Sequence, residues 1–183
     1  MLDLAKCVLP GVNHLIEAGI ADPARLGVVG HSYGGYSTLA LIVQTKRFKA
    51  AVEIDGTGSL LGEYGELDKD GAAFGVSNVE QGQGLMGGTP WQFRDRFIEN
   101  SPFFYLDRVE SPLLIMQGAE DTTIAPFLAD ELYVALRRLG KEVEYAKYEN
   151  EGHSPLYWSS PNRIDLYRRV ISWFDGHLRD SAN

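Results

Sequence analysis

The sequence predicts an α/β fold, a mostly parallel sheet with helices packed on its faces. Three observations carry that expectation. Strand-length apolar runs stand at 26–30, 50–54, 112–117 and 143–148. Segments with helical periodicity separate and follow them, and strands that alternate with helices form parallel sheets. The run Val28-Val29-Gly30-His31-Ser32-Tyr33-Gly34-Gly35-Tyr36 passes from a strand through a glycine-flanked serine into a helix, which is the pattern of a nucleophile elbow.

In chain order, Pro10 or Gly11 is expected to open a first helix that ends near Gly19 and turns Leu15 and Ile16 inward. The strand at 26–30 is apolar throughout, as suits the interior of a parallel sheet. The segment from Gly35 to Gln44, with Leu39, Ala40, Leu41, Ile42 and Val43, reads as a buried helix. The second strand, Ala50 to Ile54, ends at Asp55. Residues 56–110 break the rhythm. Ten glycines fall between Gly56 and Gly88, followed by Trp91, Phe93, Phe97, Phe103, Phe104 and Tyr105. Helix starts are expected at Thr89-Pro90 and Ser101-Pro102. A long glycine-rich excursion between core strands is more often functional than accidental, so a lid or pocket wall is expected here. The aromatics of 91–105, with Tyr157 and Trp158, are candidates to line an apolar pocket.

The third strand, 112–117, is again apolar. Pro126 opens a helix with Leu128, Leu132, Leu136 and Leu139 on one stripe. Its early Asp130 and Glu131 and late Arg137 and Arg138 match the helix dipole, and Gly140 ends it. The strand at 143–148 alternates, as an edge strand does. The last helix is expected to begin at Pro161 behind Ser160 as N-cap and to bury Tyr167, Val170, Ile171, Phe174 and Leu178. The whole reads as one domain over 1–183 with a lid-like insertion at about 56–110.

The chain has 183 residues, 44% hydrophobic and 23% charged, enough for one globular core. Its net charge of −8 argues against nucleic acid as a partner and offers no basic patch to a membrane surface. No stretch approaches the length of a membrane span. No charged-then-apolar leader opens the sequence, so the cytoplasm is the expected compartment. The single cysteine, Cys7, excludes an internal disulfide and fits a small apolar filler.

A serine hydroxyl is a poor nucleophile at neutral pH. It needs a base to take its proton and a third group to orient that base. Ser32 is the candidate nucleophile. Among the histidines, His14 and His177 lie in expected helices, and the sharp turn should point His31 away from its neighbour. His153, in Glu151-Gly152-His153-Ser154, follows the last strand, and catalytic groups of open α/β sheets gather beyond the carboxyl ends of strands. His153 is the candidate base. The acid must come from another strand end. Asp121, in Gln117-Gly118-Ala119-Glu120-Asp121, is preferred, with Glu120 and Asp55 as alternatives. The order Ser32, Asp121, His153 is the chain order of the α/β-hydrolase triad.

These motifs, with Asp22-Pro23-Ala24-Arg25-Leu26, Gly87-Gly88-Thr89-Pro90-Trp91 and Asn100-Ser101-Pro102, resemble the carboxyl-terminal part of the catalytic domain of the prolyl oligopeptidase family of serine peptidases. Tyr33 and Gly35 fit that family better than general lipases or esterases. The resemblance implies an α/β-hydrolase fold with Ser32 as nucleophile, Asp121 as acid and His153 as base. It makes the backbone N–H of Tyr33 one oxyanion donor. It implies cleavage of short peptides or acyl-peptides through an acyl-enzyme, while relatives of similar sequence hydrolyse carboxylic esters. No metal or organic cofactor is implied. Members often have histidine where this chain has Gln117, a position expected to be peripheral to the chemistry.

The family's sheet has more strands than the four legible in this sequence. The resemblance therefore implies that the earlier strands and the second oxyanion donor lie upstream of Met1. A partial catalytic domain is expected, cut from a longer polypeptide or completed by another chain, including a second copy of itself. The strand at 26–30 would then be an open apolar edge, which invites pairing. Losing one oxyanion donor typically costs about 10²–10³ in rate, so weak esterase activity is expected to outlast peptidase activity, with a non-catalytic fragment as the further alternative.

Overall fold

The four expected strands form one parallel sheet in chain order: β1 (Gly27–His31), β2 (Ala50–Ile54), β3 (Leu113–Gly118) and β4 (Val143–Tyr148). The computed structural model describes residues 1–179; the last four residues of the expected 1–183 domain lie outside the described residues. The register is continuous, with Val28 beside Ala51, Val52 beside Leu114 and Leu114 beside Glu144. β2 and β3 are buried along their whole length, while β1 alternates and Val29 is half exposed. The apolar β1 is thus an edge strand among the described residues.

Successive strand residues face opposite sides of a sheet, and both sides are apolar here. Ala51, Leu113, Ile115 and Val143 pack against α2 (Tyr33–Ile42) and α6 (Phe127–Arg138) through Leu39, Ile42, Leu132 and Leu136. Ala50, Val52, Ile54, Leu114 and Met116 meet α7 (Ser160–Leu178) through Leu166 and Trp173. Leu128 joins the α6 stripe, but Leu139 caps that helix and is 45% exposed.

Several helix expectations are corrected. α1 runs Leu2–Glu17 with Pro10 inside it. Proline removes one backbone hydrogen bond, yet the half-buried stripe Leu4, Ala5, Leu9, Val12 and Ile16 continues through it and holds the helix. Leu15, expected inward, is off that stripe and exposed, as is Cys7. α7 starts at Ser160 with Ser159 as N-cap. Its sequence carries two overlapping apolar stripes about 100° apart. The sheet takes the one with Leu166, Val170 and Trp173, leaving Tyr167 and Ile171 more than half exposed. Bulky Trp173 sets that rotation, and Tyr148 Oη donates to Asp165 Oδ2 at 3.0 Å to tether it.

Residues 56–110 hold three short helices, α3 (Leu60–Tyr64), α4 (Phe74–Glu80) and α5 (Arg94–Glu99), and a 3₁₀ turn over Pro102–Arg108. Thr89-Pro90 starts a turn, with Thr89 O accepting from Gln92 and Phe93, and the helix follows only at Arg94. Phe97 is buried with Leu60, Val79 and Met86 of the insertion and Tyr36 of α2 in a separate small core, while Trp91 is exposed. No described helix is long and apolar enough to cross a membrane.

Leu39 is fully buried between α2 and the sheet. Leu39→Ala should cost about 2–5 kcal/mol of stability by leaving a cavity there. Urea unfolding measures this, and a loss below about 1 kcal/mol would mean that α2 can collapse into the gap.

Candidate active site

Ser32 sits between β1 and α2 with φ 59° and ψ −122°, a backbone conformation that side chains rarely adopt. Its N–H donates to Ile54 O at 2.9 Å, which pins the turn to β2. A Cβ on Gly30 would lie 2.0 Å from the carbonyl oxygen of Gly34, so the turn closes only with glycine at position 30. Tyr33 opens α2, where the first N–H groups have no intrahelical acceptor.

His153 lies in the loop after β4. Its Nε2 is 2.8 Å from Ser32 Oγ and its Nδ1 is 2.8 Å from Asp121 Oδ2. Asp121 is buried and meets donors on both oxygens. Thr123 N–H at 2.8 Å and Ile124 N–H at 3.0 Å donate to Oδ1, and Gln117 Nε2 at 3.1 Å donates to Oδ2. A carboxyl met only by donors serves as the acceptor for His153 Nδ1–H. That leaves Nε2 bare and able to accept the Ser32 hydroxyl. Gln117, expected to be peripheral, is a correction: it is fully buried and holds the carboxylate that faces His153.

The two loops are locked together. Glu120 N–H donates to Glu151 O, and Ala119 N–H to Tyr148 O. Glu151 accepts from Ser159 and Asn162 at the start of α7, and Trp158 Nε1 donates to Gly152 O at 2.7 Å. Trp158 therefore braces the loop, and Tyr157 is 90% exposed. The His31 ring lies 4.9 Å from that of His153 and its Nε2 donates to His153 O at 2.7 Å, so it too steadies the loop. The sequence held no signal for this role beyond adjacency.

The alternative acids do not reach His153. Glu120 is exposed. Asp55 is buried, accepts from Gly118 N–H at 2.7 Å, and its other oxygen has no hydrogen-bond partner and lies 3.8 Å from His31 Nε2. Burial pushes its pKa from an ordinary 3.8 up to about 9, so it holds a proton at neutral pH. Glu53, fully buried on β2, is pushed by burial from 4.5 to about 8. Glu66 rises to about 7, again through burial.

A cleft opens beside Ser32. Tyr33, Tyr36, Leu60, Phe74 and Ile124 give it an apolar wall, and Glu63, Asn78 and Gln83 a polar side. The insertion does form a wall of this cleft, but through α3 and α4. The aromatics of 91–105, Tyr157 and Trp158 take no part in it. Among the described residues no group of histidine, cysteine and carboxylate side chains could hold a metal ion.

The chain is similar to known proteins in sequence and in fold. The pattern of the prolyl oligopeptidase family matches residues 6–181. The chain is 34% identical, over 86% of its length, to a Bacillus subtilis (strain 168) protein described as an uncharacterized peptidase, YuxL, of which it spans 23%. It is 30% identical, over 97% of its length, to an acylamino-acid-releasing enzyme of Arabidopsis thaliana, again spanning 23% of that protein. The acylaminoacyl peptidase structure from Pyrococcus horikoshii superposes on 99% of the chain with a TM-score of 0.86 at 25% identity, and 29% of that structure is covered. The chain thus spans about a quarter of the length of these relatives and shares the α/β-hydrolase fold with them.

Glu53 makes stability depend on pH. Its folded pKa of about 8 stands above its ordinary 4.5, so its contribution is complete below pH 4.5 and is lost as pH rises toward 8. Asp55 acts in the same direction. Glu53→Gln, which mimics the protonated acid, should raise the melting temperature at pH 8 relative to the parent and make its pH dependence shallower. Thermal scans at several pH values test this, and an unchanged pH slope would mean that Glu53 does not carry it.

Proposed function

Because this chain belongs to the prolyl oligopeptidase family, we propose that it is a serine hydrolase that cleaves peptide or acyl-peptide bonds through Ser32, His153 and Asp121. The observation that carries the reading is the continuous hydrogen-bond line from Ser32 Oγ through His153 to Asp121, 2.8 Å at each step. A substrate carbonyl held in the adjoining cleft presents its carbon to Oγ. His153 Nε2 takes the hydroxyl proton as Oγ attacks, and the carbonyl oxygen becomes an oxyanion beside the Tyr33 N–H. Asp121 stabilises the imidazolium. That proton then passes to the leaving amine, the C–N bond breaks, and an acyl group remains on Ser32. Water, deprotonated by His153, releases the acid and restores Ser32. The acylaminoacyl peptidases among the relatives support N-acylated peptides as the substrate class.

A fluorophosphonate probe should label the folded chain at Ser32, and Ser32→Ala should abolish labelling and turnover. Labelling that survives Ser32→Ala, or a folded parent chain that the probe leaves unmodified, would overturn the assignment. Acyl-peptidyl anilides assayed beside short-chain p-nitrophenyl esters divide the chemistry: turnover of the ester alone identifies a carboxylesterase.

The two aspartates separate cleanly. Asp121→Asn should lower turnover by roughly 10⁴, because the histidine loses the partner that sets its tautomer. Asp55→Asn should change it less than about ten-fold, since that group is already protonated at neutral pH. Equal losses would mean that Asp55 shares the acid's role.

A further inference from the structure

The polar side of the cleft holds one carboxylate that the chemistry above does not use. Glu63 lies on α3, is 2% exposed, and lines the cleft beside Ser32. Its Oε1 accepts from Asn78 Nδ2 at 2.6 Å. Its position is fixed by backbone: a Cβ on Gly75 would lie 1.7 Å from Glu63 O, so α4 presses directly on α3 at this residue. Among the described residues no lysine or arginine forms an ion pair with Glu63. Burial raises the pKa of this carboxyl group, with the Asn78 hydrogen bond and nearby His153 acting the other way, and a cation bound beside it would offset the cost of its charged form. The facing Tyr33, Tyr36 and Phe74 offer aromatic surface to an alkyl stem and to a positive head group.

We propose that Glu63 is a specificity-determining residue that receives a cation, ammonium or guanidinium, carried by the substrate residue whose carbonyl Ser32 attacks. The reading rests on Ser32 as the nucleophile. The same chemistry is supplied by a lysine or arginine side chain or by a free α-amine, and substrates distinguish them. p-Nitrophenyl esters of acetyl-lysine, acetyl-norleucine and unacetylated norleucine isolate the two cations. A side-chain cation should raise kcat/KM for acetyl-lysine over acetyl-norleucine by roughly ten-fold or more. An α-amine should instead raise unacetylated norleucine over acetyl-norleucine by a similar factor. Glu63→Gln, which keeps the shape and the Asn78 contact, should bring the favoured ratio to near one. A parent chain that prefers acetyl-norleucine to both cations, or a ratio that Glu63→Gln leaves unchanged, overturns the proposal. A test independent of turnover uses calorimetry with n-butylguanidinium on Ser32→Ala. Binding should weaken by roughly ten-fold or more when Glu63→Gln is added, and equal affinity for the two proteins overturns the assignment of Glu63 however Ser32 behaves.

Discussion

At the carboxyl edge of the sheet, backbone meets backbone more closely than any side chain allows. A Cβ on Gly30 would lie 2.0 Å from Gly34 O, and one on Gly118 would lie 2.5 Å from Gly152 O. The first approach folds the chain back over the end of β1 and lifts Ser32 Oγ above the sheet. The second seats the loop after β3 against the loop after β4, which places Asp121 under His153. Parallel pairing supplies the rest, because a continuous register sets the ends of β1, β3 and β4 side by side. Three residues 121 positions apart at the extremes thus come within hydrogen-bond reach.

Electrostatics then separates carboxyl groups of similar burial. Asp121 receives two backbone N–H groups, an amide and an imidazole. Asp55 and Glu53 each meet one backbone donor and keep one oxygen unpaired. Desolvation therefore dominates at Asp55 and Glu53 and drives both toward the protonated form. The carboxyl group that faces His153 is held by hydrogen-bond geometry, and Asp55 and Glu53 stay neutral at neutral pH. A neutral layer there leaves the imidazole one strong acceptor to orient against.

The strands were legible to within one residue because short apolar runs between turn signals have few other uses. The site was legible for a related reason: strand ends in an open parallel sheet converge, so a serine, an aspartate and a histidine at three such ends point to one place. Helix faces were less legible. α7 offers two apolar stripes, and only the sheet's shape and the bulk of Trp173 select between them. Pro10 signalled a helix start that the packed stripe of α1 overrode. Gln117 and His31 carried no sign of their contacts, since a side-chain amide or a ring nitrogen finds its acceptor only after distant loops have docked. The aromatics of 91–105 have the composition of a pocket lining, but a core has the same composition, and Phe97 packs into the small core between the insertion and α2.

By itself the sequence determined the α/β class, the strand order along the chain, the elbow serine and the candidate histidine after the last strand. All of these follow from local period, turn chemistry and position relative to strand ends. Tertiary structure decided which acid faces the histidine, which residues wall the cleft and which carboxylates hold a proton. Those depend on burial and on donors brought from elsewhere in the chain, and neither has a local signature. Glu63 shows the difference most plainly. In the sequence it is one acidic residue in a glycine-rich stretch, and in the fold it is a buried carboxyl group with a neutral partner, lining the space beside Ser32.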